Sequence, residues 1–194
     1  MYRFFDILFS VIGILVLSPL FLAIAICIKI DSSGPVFFRQ LRVGKGGIDF
    51  NLFKFRSMYL RSDSEKLLTV GTNDPRITHV GLFIRKYKLD ELPQLFNVFF
   101  GEMSFVGPRP EVHKYVELYN AEQRAVLEIK PGITDYASVA FRNENELLSK
   151  VENPEDYYIK IIMPEKLRLN IVYINNRGLD QYFKIIFLTL LRIF

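Results

Sequence analysis

From Phe4 to Ile28 the chain is apolar, with Asp6 its one charged residue and Ser18-Pro19 near the middle. Such a segment has to leave water, and it sets the surroundings for everything after it. As a straight helix of about 25 residues at ~1.5 Å each it would extend roughly 37 Å, enough for a hydrocarbon core of about 30 Å. Pro19 argues the other way. It has no amide hydrogen to give the Leu15 carbonyl and its ring presses on that group, while the Ser18 hydroxyl can satisfy the carbonyl that a bend frees. Bent there, each half is too short to cross. A kinked single span and a re-entrant hairpin both fit, and the residues alone favour the span, because spanning helices tolerate proline. A cleaved signal peptide fits poorly, since Ile26, Cys27 and Ile28 carry the apolar run past the small pair Ala23 and Ala25. Lys29, Arg39, Arg42 and Lys45 follow closely, so the positive-inside tendency puts the rest of the chain in the cytoplasm.

This divides the 194 residues into a membrane helix, 1–30, and one compact cytoplasmic domain, 31–194. Half of all residues are hydrophobic, and 18 Phe with 10 Tyr exceed what a single core of this size needs, which implies aromatic surface facing lipid. A net charge of +4 suits an anionic membrane or a phosphorylated substrate and gives little reason to expect nucleic acid. The single cysteine, Cys27, excludes an intramolecular disulfide and a thiolate metal cluster.

The pattern downstream predicts an α+β domain, mainly helical. Val36–Gln40 and Phe50–Arg56 read as the strands of a small β-hairpin around Gly44, Gly46 and Gly47. Met58–Leu68 reads as helical, as does the basic stretch from about His79 to Lys88. From Asp90, the residues Leu92, Leu95, Phe96, Phe99 and Phe100 share one face of a short amphipathic helix that Gly101 stops. Val106-Gly107-Pro108-Arg109-Pro110 must be an extended loop. Val112–Ile129 is expected as a helix, Ile133–Phe141 as irregular or strand-like, and Glu155–Asn176 as a long helix disturbed near Pro164. Asp180 can cap a last helix running to Phe194, too short to span and better placed in the headgroup region.

The chemistry concentrates at Lys88-Leu89-Asp90-Glu91-Leu92-Pro93. Adjacent carboxylates converge only at an irregular site such as a helix start, and Pro93, acceptable in a first turn, puts Asp90 near the cap and Glu91 just inside. There the free amides favour carboxylates and anionic ligands alike. An acidic first turn with no chemistry is the plain alternative. Lys54, Arg56, Arg76, Arg85, Lys86, Lys88 and Arg109 form a cationic set suited to a nucleotide diphosphate. Arg109 stands out because prolines fix the backbone on both sides of it. Carboxylates beside arginines, without a His- or Cys-rich cluster, point to Mg²⁺ held by oxygen ligands and substrate phosphates.

Several ordered motifs now resemble the bacterial sugar transferase family of monotopic polyprenyl-phosphate phosphoglycosyl transferases: Phe37-Phe38-Arg39-Gln40 with Arg42-Val43-Gly44, Lys54-Phe55-Arg56-Ser57-Met58, Asp74-Pro75-Arg76-Ile77-Thr78, Leu89-Asp90-Glu91-Leu92-Pro93-Gln94, Met103 through Pro110, and Lys130-Pro131-Gly132-Ile133-Thr134. The resemblance runs from about Tyr2 to the end, and its length is like that of the small enzymes consisting of the catalytic domain alone. It implies a re-entrant helix kinked at Ser18 and Pro19, interfacial helices, and residence on the cytoplasmic face of a bacterial inner membrane among its lipids. It also implies transfer of a phosphosugar from a UDP-sugar to polyprenyl phosphate, usually undecaprenyl phosphate, with release of UMP, as the first membrane step of glycoconjugate assembly. By the same resemblance Asp90 is the nucleophile, Glu91 helps hold Mg²⁺, and Arg109 contacts phosphate, with Lys54, Arg56, Arg76, Arg85 and Arg142 completing the substrate-binding set. A homodimer is compatible with this. Where many relatives continue Pro-Gly-Ile-Thr with Gly-Trp-Ala-Gln-Val-Asn-Gly-Arg, this chain has Asp135 through Arg142, which leaves the donor sugar open, an N-acetylated amino or diamino sugar being the expectation. The rival classes are a membrane-anchored scaffold and a Mg²⁺-dependent phosphohydrolase.

Overall fold

The computed structural model describes residues 1–60 and 74–193. Helix α1 occupies Tyr2–Asp31 and, among the described residues, is the one helix long and apolar enough to cross a membrane. It runs as a single helix through Pro19. The reason lies in the expected contact itself: the proline removes one bond, and the Ser18 hydroxyl donates to the orphaned Leu15 carbonyl at 2.8 Å.

Both ends of α1 are fastened to the rest of the protein. Near its start Arg3 donates to the carbonyls of Val98 and Phe99 at 2.5 and 2.6 Å. One turn on, the buried Asp6 carboxylate accepts from the Ser104 hydroxyl, the Phe105 amide and the Tyr182 hydroxyl at 2.9, 3.0 and 2.9 Å. At the far end Ile24 and Ile28 are buried with Phe55 and Ile84. Between these points Gly13 lies so close to Leu95 that an added Cβ would stand 3.1 Å from it. Leu15, Val16 and Leu22, on the opposite side, are all more than 60% exposed, an apolar stripe that water alone would not favour.

Strands β1 (Phe37–Val43) and β2 (Asp49–Phe55) form the expected antiparallel hairpin, with Phe37 opposite Phe55 and Val43 opposite Asp49. Met58 bridges to Ile77 in extended backbone, so the helix expected from Met58 does not begin there, and most of that stretch lies outside the described residues. Helix α2 (His79–Lys86) starts on Thr78, whose hydroxyl accepts from the Gly81 amide. Helix α3 (Gln94–Phe100) ends at Gly101, which takes the left-handed φ of 89° that glycine allows.

A second sheet was not expected. Strands β3 (Ser104–Val106) and β4 (Gly132–Thr134) run parallel, and at their crossing a Cβ on Gly132 would meet the Gly107 amide nitrogen at 2.1 Å. Only glycine permits that approach. Val112–Ile129 is not one helix but a short α4 (His113–Val116) and a 3-10 stretch, Gln123–Glu128. Asn120 and Gln123 exchange side-chain-to-amide bonds at 3.0 and 2.8 Å and restart the chain there. Of the stretch expected to be irregular or strand-like at 133–141, Ile133 and Thr134 are in β4, while Tyr136–Ala140 form helix α5, because the Asp135 carboxylate caps it on the Ser138 amide at 2.5 Å.

Helix α6 (Glu144–Ser149) leads into α7 (Pro154–Tyr157), which continues through a π turn at Tyr158–Ile162 into α8 (Met163–Asn175). The disturbance expected near Pro164 is this π turn. Helix α9 (Leu179–Ile193) carries Asp180 in its first turn, buries Tyr182 and Ile185, and exposes Phe187, Leu190 and Leu191. Its apolar surface is thus split between the protein and the outside.

Candidate active site

Two residues past the end of α2 stands Lys88, the one described non-glycine residue with positive φ, at 58°. This reversal swings the chain into a 3-10 turn, Leu89–Glu91. The pair therefore precedes α3 and is not inside it, as the cap argument had it. Pro93 is the cause: it cannot donate to the Leu89 carbonyl, so the Leu92 amide closes a tighter turn on that oxygen at 3.2 Å.

The two carboxylates meet different surroundings. Glu91 is gripped by Arg109, which donates through both terminal nitrogens, one of them at 3.0 Å to Oε2. Lys54, on β2, adds a bond to Oε1 at 3.1 Å. Burial opposes ionisation of Glu91, but Arg109 and then Lys54 outweigh it and hold the carboxyl well below its usual range. Asp90 has no hydrogen bond or ion pair among the described residues. Burial first, and then the Glu91 charge, push its carboxyl upward, with the charges of Lys54, Arg85 and Arg109 opposing. The Arg109 guanidinium is pushed up by Glu91, and the Lys54 ammonium is drawn down by burial against the same carboxylate.

Of the cations read from the sequence, Lys54 and Arg109 converge on the pair, and the Arg85 charge bears on both Asp90 and Asp74. Arg76 is bound to Asp74 at 2.6 Å, a partnership that brings the Asp74 carboxyl down to about 2. Arg56 is directed elsewhere: its guanidinium donates to the carbonyls of Ser33 and Ser32 at 2.8 and 2.7 Å and to the Ser32 hydroxyl at 3.0 Å, closing the C-terminus of α1. Arg142 sits between α5 and α6 beside Leu147 and Leu191, and is not brought to the pair. Ser18 and Pro19 lie on the exposed middle of α1.

Asp135 is a residue that sequence reasoning passed over. Besides capping α5 it accepts from the Arg109 amide at 3.1 Å, fixing the loop that carries the guanidinium. An aspartate at capping distance, three residues before Ser138, was the available signal.

A magnesium ion fits this donor set only in company with phosphate. Glu91 already accepts three bonds from two cations, which leaves Asp90 the freer carboxylate of the pair, so most of an octahedral shell would have to come from a diphosphate and water.

The family description "Bacterial sugar transferase" matches residues 1–194. The chain is 38% identical over 194 residues to the UDP-glucose:undecaprenyl-phosphate glucose-1-phosphate transferase of Klebsiella pneumoniae, covering 98% of this chain and 39% of that protein. It is 43% identical over 164 residues to the UDP-N-acetylgalactosamine-undecaprenyl-phosphate N-acetylgalactosaminephosphotransferase of Aeromonas hydrophila, covering 81% and 38%. With the exopolysaccharide production protein ExoY of Rhizobium meliloti it shares 37% over 170 residues, covering 80% and 75%. The chain thus spans well under half the length of the first two relatives and about three quarters of the third. The motifs around Asp90, Glu91 and Arg109 lie inside a match that takes in every residue, and this chain belongs to the bacterial sugar transferase family.

Proposed function

We propose that the protein transfers a phosphosugar from a UDP-sugar to polyprenyl phosphate, undecaprenyl phosphate by analogy with the relatives' names, at the cytoplasmic face of a bacterial inner membrane. The observation that carries this reading is the unequal pair: one carboxylate neutralised by two cations, the next one unpartnered among the described residues. A capping aspartate would be bonded to amides; Asp90 is instead left available for a phosphorus atom.

In the first step an Asp90 oxygen attacks the sugar-bearing phosphorus, the bond to the bridging oxygen breaks, and UMP leaves. The protein then carries an aspartyl phosphosugar. In the second step an oxygen of the lipid phosphate attacks the same phosphorus and expels the Asp90 carboxylate, giving a polyprenyl diphosphosugar. Arg109, immobilised by Glu91 and Asp135, supplies a fixed positive charge where the phosphoryl oxygens gain negative charge, and Lys54 supplies a second. Asp90 would hold Mg²⁺ in company with substrate phosphate, and the ion would supply positive charge that screens the approaching anions.

The membrane arrangement follows from α1. A helix of about 45 Å could span, yet Arg3 and Asp6 at one end and Ile28 at the other hold to a single body that includes α3. That supports a helix that enters and returns on one side, with residues 31–194 on the cytoplasmic side.

UMP release from UDP-glucose and UDP-N-acetylgalactosamine, with and without undecaprenyl phosphate and Mg²⁺, tests the proposal. Asp90→Asn is expected to lower turnover by at least ~10³-fold. Turnover unchanged in that variant rejects the nucleophile, and sugar phosphate freed without lipid indicates a hydrolase.

A further inference from the structure

Loop 108–111 is held from behind by a chain of polar contacts that leads away from the substrate side. The Tyr158 hydroxyl donates to Glu111 Oε1 at 2.5 Å. Glu111 Oε2 faces Arg42 Nη1 at 3.4 Å, and that same nitrogen donates to the Pro110 carbonyl at 3.0 Å. Gln40 Oε1 accepts from Arg42 Nη2 at 2.8 Å and steadies the guanidinium, and the Val43 amide donates to the Glu111 carbonyl at 2.9 Å. The next residue back along the loop is Arg109.

We propose that Tyr158 is a positioning residue of the site: through Glu111 and Arg42 it keeps the Arg109 loop preset to receive donor phosphate. This rests on the phosphate role given to Arg109 above.

Three observations separate this from ordinary packing. Tyr158 lies in an apolar core, 2% exposed, where a phenylalanine would fill the same space without burying a hydroxyl. Its neighbour Tyr115, whose ring is 5.0 Å away, buries a hydroxyl that has no partner among the described residues, so the partnered one is set apart by its direction. Tyr158 also opens the π turn. Pro164, lacking an amide hydrogen for the Lys160 carbonyl, is accommodated just past that wider turn, and π turns are frequent at functional sites. Burial, and then Glu111, push the Tyr158 hydroxyl upward, so it stays protonated as a donor at any working pH.

A loop no longer preset must be ordered by the donor, which weakens binding in ground and transition states alike. Tyr158→Phe is expected to raise KM for the UDP-sugar that is turned over, UDP-glucose or UDP-N-acetylgalactosamine, about tenfold, with kcat within about twofold. Amide exchange in the peptide containing residues 106–112 should quicken. Tyr115→Phe, its matched control, should do neither. In an Arg109→Ala background, Tyr158→Phe should add nothing, because both act through one side chain. Glu111→Gln, which keeps shape and loses charge, should reproduce the KM change if Tyr158→Phe folds poorly. Unchanged KM and exchange, equal effects from Tyr115→Phe, or additivity with Arg109→Ala overturn the proposal. Quickened exchange confined to Tyr158→Phe in a protein that releases no UMP keeps the positioning role and removes the assigned reaction.

Discussion

At positions 90 and 91 two carboxylates one peptide apart are driven in opposite directions, Asp90 up by burial and by its neighbour, Glu91 down by Arg109 and Lys54. Removing the Glu91 charge removes an anion that resists ionisation of Asp90, and frees two cations that favour it. Glu91→Gln should therefore lower the Asp90 pKa in metal-free protein, so that Asp90 ionises at a more acidic pH than before. Carboxyl ¹³C NMR of Asp-labelled protein in detergent measures this, and an unmoved Asp90 titration contradicts it. The same variant leaves Arg109 and Lys54 without a counter-charge and should lose about 2 kcal/mol, below the ~3–5 of a fully enclosed pair. The pair and Arg109 stood out in the sequence because prolines at 93, 108 and 110 restrict the backbone around them, and the structure brings Arg109 onto Glu91. Arg56 was not, since composition lists a cation without saying where its side chain turns, and here it closes a helix end.

Among the elements, α1 and α9 are joined at one buried carboxylate, Asp6, which receives three donors including Tyr182 from 176 positions along the chain. Asp6→Ala strands those donors in the interior and should cost about 3 kcal/mol, read as a lower melting temperature in detergent. A drop no larger than that of an exposed substitution such as Leu15→Ala would show that the three bonds contribute little. The oddity of one acid in an apolar run is plain in the sequence, but its partners are not, because their proximity arises only after β3 and α9 have packed. The hairpin and α3 were readable from local alternation and from Gly101. The β3–β4 pair depends on the approach of Gly107 to Gly132, and α5 on the Asp135 cap, both tertiary or short-range details that hydrophobic period cannot reveal.

For the molecule as a whole, the decisive measurement is sidedness. With Cys27 replaced by Ser, single cysteines placed by Phe4→Cys and Ile30→Cys, both exposed positions, should react with a membrane-impermeant reagent from one side of sealed inverted vesicles. Reaction of the two from opposite sides means a true crossing. The sequence left that choice open because length and proline content bear on span and hairpin alike, whereas the two anchored ends bear on it directly. The contact of Gly13 with Leu95 carries a last consequence. The segment that follows Asp90 rests on the apolar helix α1 as on a floor, so trimming that helix to obtain a water-soluble fragment would remove part of the foundation. Copies stranded in the aqueous phase should stay inert, and competence should arrive with insertion itself.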